Sequence, residues 1–183
     1  IKRLPKGASL HLGNSSIIRN AQLYSIDRSI DVYCNRGTNG IESPLPTAVG
    51  FASVHRGTTY LLIGDLSFFY GLNSLWNIRH IKNLRILLIN NGGGGIFHLL
   101  PGLSNAPSLT QYVAATHNIS AEEWTKAAGL QYVSAKDKTE LNKGLITLMD
   151  EKTENSILLE VTTDIEISKQ VFKEYYHRLK SII

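Results

Sequence analysis

Two short motifs combine residue types suited to holding a divalent cation and an anion together. Gly64-Asp65-Leu66-Ser67 closes one aliphatic run, and Asn90-Asn91-Gly92-Gly93-Gly94-Gly95 closes the next. A carboxylate, an amide oxygen and glycine carbonyls are the hard oxygen ligands that Mg²⁺ or Ca²⁺ accepts, and magnesium sites leave positions open for substrate phosphates. A helix opening after Asp65 would aim backbone amides at the same spot, which favours an anion. The glycines would allow positive φ and close backbone approach to a ligand. A cation-held diphosphate is the natural occupant. Taken singly, each motif also reads as an ordinary turn or helix cap. The spacing favours the first reading, because one helix plus one strand is the length of crossover that returns two parallel strand ends to one edge of a sheet.

The elements that must position these motifs are legible as short apolar runs alternating with amphipathic stretches. Strands are expected at 9–13, 32–35, 59–63, 85–90, 131–133 and 156–161. Helices are expected from 14, over 68–81, from the Ser120-Ala121-Glu122-Glu123 capping box to Gly129, over 137–150 and from 166. The run 86–89 has no polar residue, as in strands covered by helices on both faces. Strand–helix alternation implies right-handed crossovers. The fold class is therefore α/β: an open, mostly parallel six-stranded sheet with helices on both faces, in one domain over 1–183. In such sheets ligands sit beyond the carboxyl ends of the strands. The loops there are polar or glycine-rich: Gly13-Asn14-Ser15-Ser16 with Arg19, then 35–41 with Arg36, then the two motifs above, the second running into Ile96-Phe97.

Composition narrows the function classes. A chain of 183 residues, 43% hydrophobic, is long enough to bury a core without disulfides or metal staples. One cysteine rules out an internal disulfide framework and fits a reducing, cytoplasmic setting. The net charge of +4 is modest and scattered, which does not indicate a nucleic-acid partner. No apolar run approaches the length needed to span a membrane, and no secretory leader is expected. The start at Ile1 suggests a piece of a longer protein.

The ordered blocks carry a resemblance. Gly64-Asp65 followed by Asn90-Asn91 is similar to the diphosphate-binding signature of thiamin-diphosphate-dependent enzymes. Those typically have Gly-Asp-Gly where this chain has Gly64-Asp65-Leu66-Ser67. That departure resembles one branch, the 2-succinyl-5-enolpyruvyl-6-hydroxy-3-cyclohexene-1-carboxylate synthases of menaquinone biosynthesis. Gly13-Asn14-Ser15 with Arg19, Asn35-Arg36-Gly37 with Gly40-Ile41, Leu72-Asn73, and Ile96-Phe97 with Leu100-Pro101 extend it over the first hundred residues.

The resemblance implies that Asp65, Asn91 and the carbonyl of Gly93 bind Mg²⁺ (or Mn²⁺), which holds the diphosphate. One residue fewer than in some relatives precedes Ile96-Phe97, leaving open which glycine supplies the carbonyl. Gly64, Leu66 and Ser67 would line the cofactor, and Ile41 would support it between its rings. Ile96 and Phe97 would wall the substrate, and Ser15, Arg19 and Arg36 would bind its carboxylates. Guanidinium forks suit that task on physical grounds alone. The implied reaction is decarboxylation of 2-oxoglutarate and addition of the succinyl semialdehyde unit to isochorismate. The glutamate that activates the cofactor would lie on a pyrimidine-binding domain absent from this chain, in a homo-oligomer. The 183 residues would then be the C-terminal third of the enzyme, inactive alone.

Two other classes compete. One is another thiamin-diphosphate-dependent 2-oxo acid decarboxylase or carboligase. The other is a non-catalytic α/β module binding a diphosphate. A nicotinamide-binding domain is disfavoured because no Gly-x-Gly-x-x-Gly follows the first strand. The six histidines lack metal-ligand spacing, Cys34 reads as a strand residue in a buried setting, and Trp76 reads as core. Lys169, Lys173, Arg178 and Lys180 read as a solvated face of the last helix, with Val171, Tyr175, Leu179 and Ile182 along another side.

Overall fold

A computed structural model describes residues 1–100, 102–103 and 106–181. Pro101 and Ile182 lie outside the described residues. Six strands, β1 (Ser9–Leu12), β2 (Asp31–Cys34), β3 (Thr59–Gly64), β4 (Leu84–Asn90), β5 (Gln131–Ala135) and β6 (Ile157–Thr162), form one sheet. Its order is β2-β1-β3-β4-β6-β5, and every pairing is parallel. The central strands β3 and β4 are aliphatic on both sides, as the absence of polar residues in 86–89 requires.

Period-2 alternation divides their side chains between two helical layers. Leu61 and Ile63 of β3, Leu84, Ile86 and Leu88 of β4, and Leu158 of β6 face one layer. That layer holds α2 (Pro44–Val54), α3 (Asp65–Tyr70), a 3₁₀ segment (Leu72–His80) and α4 (Glu122–Ala127). Leu10, Leu12, Tyr60, Leu159 and Val161 face the other, under α1 (Ser16–Ala21) and α5 (Lys138–Leu148). The expected fold class is observed. A last helix, α6 (Ile165–Lys180), packs against the 3₁₀ turn Gly95–Leu99 that follows the glycine run. No described helix is long and apolar enough to cross a membrane.

Several elements differ from expectation for local reasons. The helix expected over 68–81 starts earlier, at Asp65, and breaks at Gly71, where a Cβ would stand 2.9 Å from Leu45 Cβ. The chain continues as 3₁₀ turns, so Trp76 rotates off the apolar stripe and is 75% exposed rather than core; Leu75 and Ile78 are the buried residues. Cys34 is half-buried at most, because β2 is an edge strand with an exposed pattern. Helix α2, with Ser43 before it and Pro44 at its first position, was not expected from the sequence. Its apolar residues are spread around the helix, so periodicity does not announce it. On α6, Val171, Tyr175 and Leu179 form the expected stripe, but it is exposed.

An aromatic cluster closes the β1 end of this layer. His11 is 5% exposed, stacked on Tyr33 at 4.9 Å and edge-on to Phe51 at 4.7 Å. Its Nε2 has no hydrogen-bond partner. Burial, reinforced by nearby His55, pushes its pKa down to about 4 from the ordinary 6.5. A histidine whose folded value is depressed favours the neutral form, so its contribution is complete above pH 6.5 and is lost as pH falls toward 4. The melting midpoint should therefore decline across that window, and His11→Phe, which keeps the aromatic packing, should remove part of the decline in a pH-dependent melting series.

Candidate functional site

The carboxyl ends of β3 and β4 lie side by side, since Gly64 pairs with Ile89. Asp65, the next residue after β3, is 3% exposed. Its Oδ1 accepts the Leu66 N–H at 2.7 Å and its Oδ2 accepts the Gly93 N–H at 2.8 Å. Burial pushes the Asp65 pKa up, and the N–H donors with nearby His117 act against that push. The helix that opens at Asp65, α3, is six residues long, and the Leu66 amide in its first turn is committed to Asp65.

After β4 the chain turns back on itself. Gly92 has φ +77° and Gly93 φ +143°, conformations that side chains resist. A Cβ on Gly93 would also meet the Ala114 carbonyl oxygen at 2.7 Å. This turn directs the Gly93 N–H toward Asp65, while the Gly93 carbonyl accepts the Gly95 N–H at 2.9 Å. The Asn91 amide atom facing them stands 2.8 Å from the Gly93 oxygen and 3.2 Å from Asp65 Oδ2. As nitrogen, that atom donates to both. As oxygen, it makes a trio of oxygens that a cation would draw together. Magnesium with Mg–O of about 2.0–2.1 Å separates adjacent octahedral ligands by about 2.9–3.0 Å, close to both separations made by the Asn91 amide, so the residue types and these spacings suit the ion. Among the described residues no cluster of three His, Cys, Asp or Glu side chains offers a rival site.

The trio opens onto a cavity of about 210 Å³ lined by Ser15, Ile41, Gly64, Asp65, Leu66, Ser67, Asn91, Gly93, Ile96 and Phe97. Ten of the residues singled out in the sequence therefore meet in one place. Ser67 donates its hydroxyl to the Ile41 carbonyl, which pins the loop after β2 to α3. Ser15 sits at φ 64°, ψ −130°, a strained backbone for a residue with a Cβ. Arg19 lies outside the cavity, in an adjoining groove of about 510 Å³ with Ile96, Lys173, His177 and Lys180. Arg36 is outside both; it is exposed, and its Nη1 donates to Asn14 Oδ1 at 3.0 Å.

Comparison with known proteins agrees with this geometry. The family described as thiamine pyrophosphate enzyme, C-terminal TPP binding domain, matches residues 12–161. The chain belongs to this family. It is also similar to proteins named 2-succinyl-5-enolpyruvyl-6-hydroxy-3-cyclohexene-1-carboxylate synthase. It is 46% identical to that of Bacteroides thetaiotaomicron over 98% of the chain and 33% of the relative. For Bacteroides fragilis the identity is 44% over 99% and 33%. For Flavobacterium johnsoniae it is 44% over 95% and 32%. The chain thus spans about a third of the length of the curated relatives it matches.

As a thiamin-diphosphate-binding domain, the chain contains contributors that sequence reasoning passed over. Asn14, 4% exposed, donates to the carbonyls of Asn35 and Gly40 at 2.9 and 2.7 Å, tying the loops after β1 and β2 together. His117 places Nε2 3.4 Å from Asp65 Oδ2, while its Nδ1 accepts the Ile119 N–H at 3.1 Å. Its ring meets Phe69 edge-on at 5.3 Å. Lys169 and Phe172 bring α6 to the cavity wall, so one end of the presumed solvated face is part of the site. Asn14 stood inside a quoted block, whereas no spacing pattern marks His117. Gly93→Ala should weaken binding of magnesium thiamin diphosphate at least tenfold in a calorimetric titration, about 1.4 kcal/mol or more, while circular dichroism retains the α/β signature.

Proposed function

We propose that this chain is the cofactor-holding, C-terminal third of a 2-succinyl-5-enolpyruvyl-6-hydroxy-3-cyclohexene-1-carboxylate synthase. The observation that carries the cofactor half of this reading is the Asn91 amide standing between Asp65 Oδ2, at 3.2 Å, and the Gly93 carbonyl, at 2.8 Å, on the wall of the cavity. The names of the relatives and the Gly64-Asp65-Leu66-Ser67 variant support the rest.

Asp65 Oδ2, the Asn91 amide oxygen and the Gly93 carbonyl would hold Mg²⁺ (or Mn²⁺), which would neutralise the diphosphate. When bound, thiamin diphosphate supplies the electron sink for decarboxylating a 2-oxo acid. The chain's own residues bind and orient. Ile41 supports the cofactor from the loop that Ser67 pins. Ile96 and Phe97 exclude water on the substrate side. Ser15, Arg19 and Arg36 receive carboxylates, and the proposed substrates, 2-oxoglutarate and isochorismate, are both dicarboxylates. The chain spans about a third of the relatives' length, which supports a half-site, closed by a pyrimidine-binding domain that lies in the remaining two-thirds of the enzyme and carries the activating glutamate, within a homo-oligomer.

Titration of the chain with thiamin diphosphate tests the cofactor half. Binding should require Mg²⁺ and be lost in Asp65→Ala, and metal-independent binding would sink the assignment. In the full-length enzyme, Arg19→Ala and Arg36→Ala should each raise KM for a dicarboxylate substrate by at least tenfold, from the loss of a charged hydrogen bond worth about 1.5–3 kcal/mol. The isolated chain should show no turnover of 2-oxoglutarate with isochorismate, and measurable product would refute that expectation.

A further inference from the structure

Glu160, on β6, is 2% exposed and lies outside the set of cofactor-contacting residues. Its Oε1 accepts from Asn90 Nδ2 at 2.6 Å and from the Ala121 N–H at 3.1 Å. Its Oε2 accepts from the hydroxyls of Ser120 and Tyr132, both at 2.7 Å. Burial pushes the Glu160 pKa up, but these donors outweigh it and hold the carboxyl below its ordinary range. The donors come from β4, β5 and the segment preceding α4, so the carboxylate joins elements that share no local structure.

Two arms of this node, through Asn90 and through Ser120–Ala121, lead to the proposed metal trio. Asn90 turns its Oδ1 to the Gly92 N–H at 3.1 Å and its Nδ2 also to the Ile119 carbonyl at 2.8 Å. Ser120 and Ala121 end a strap, residues 114–121, that lies across the glycine run. At its start the Ala114 carbonyl accepts the Gly94 N–H at 2.6 Å. In its middle the His117 N–H donates to the Gly92 carbonyl at 2.9 Å, and the His117 ring reaches Asp65. The turn that places Gly93 is thus held from below by Asn90 and from above by the strap, and Glu160 anchors both.

We propose that Glu160 is a positioning residue for the metal–diphosphate site: through Asn90 and the 114–121 strap it holds Asn91 and Gly93 in ligating geometry before the cation arrives. A loop ordered in advance does not charge its ordering entropy to binding. This rests on the reading of Asp65, Asn91 and Gly93 as metal ligands. What matters is the hydrogen-bond frame rather than the charge. A glutamine can keep its oxygen toward Asn90 and Ala121 while its amide donates to the Ser120 and Tyr132 hydroxyls, which can rotate to accept.

The test titrates the full-length enzyme calorimetrically with magnesium thiamin diphosphate and records the melting midpoint without cofactor, for wild type, Glu160→Ala, Glu160→Gln and Asn90→Ala. Glu160→Ala and Asn90→Ala should bind at least tenfold more weakly, whereas Glu160→Gln should stay within about threefold of wild type. Should Glu160→Ala fail to fold, Asn90→Ala carries the test, because it leaves the contacts of Glu160 with Ser120, Ala121 and Tyr132 in place. Wild-type affinity in Asn90→Ala overturns the proposal. So does an affinity that merely follows the melting midpoint across all three variants, the mark of a general structural role. Asp65→Ala runs as a control: if it binds as tightly as wild type, the metal-ligand reading itself has failed rather than the positioning argument alone.

Discussion

A carboxylate held almost out of contact with water is costly unless its surroundings replace the lost solvation, and the arrangement around Asp65 follows from that constraint. Two backbone N–H groups, from Leu66 and Gly93, and the His117 ring supply part of the replacement. The N–H of Gly93 can reach Asp65 only if the chain after β4 doubles back through two residues of positive φ, so the glycines are a consequence of the aspartate. The same turn brings the Asn91 amide within 3.2 Å of the carboxylate and 2.8 Å of the Gly93 oxygen. A buried carboxylate so placed is where the proposed function sets its divalent cation.

The sheet explains why these groups can meet. The strand order places β3 and β4 at the centre with in-register ends, so the residues that follow them emerge at one edge. The loops after β1 and β2 reach the same edge from one side and are tied there by Asn14 and Ser67. On the other side β6 inserts between β4 and β5, which puts Glu160 beside Leu88 and within reach of Asn90. Chain reversals on both flanks of β3 and β4 thus converge on a single cavity, the place where open parallel sheets collect their ligands.

The division of labour within the site is also visible. Asp65, at the centre of the proposed metal–diphosphate end, is buried and held by two backbone N–H groups, with Asn91 half-buried beside it. Of the groups proposed to receive carboxylates, Ser15 lines the cavity, whereas Arg19 and Arg36 are exposed and lie beyond it, Arg36 anchored by Asn14. This fits the half-site of the proposed function, with the arginines left on an open surface. The exposed apolar stripe of α6 and the exposed Trp76 belong to the same picture of a domain with faces left to be covered.

The sequence by itself determined the α/β class and the six strands within a residue or two, because each rests on local information. Aliphatic runs mark doubly covered strands, and Asp65, Asn91 and the glycines sit in short contiguous motifs whose chemistry is independent of context. Those motifs pointed to the glycine run, and only the turn geometry distinguishes Gly93 from its neighbours, through its N–H to Asp65. What tertiary structure alone decided lies elsewhere. Helix α2 lacks a one-sided apolar face, and Trp76 is turned outward by a break at Gly71 that depends on packing against Leu45. His117 and Glu160 gain their roles from contacts with Asp65 and Asn90, the latter 70 residues away along the chain. Periodicity and motif spacing encode what neighbours in sequence do to one another. A hydrogen bond across two strands and a strap exists only once the sheet has fixed where each of them ends.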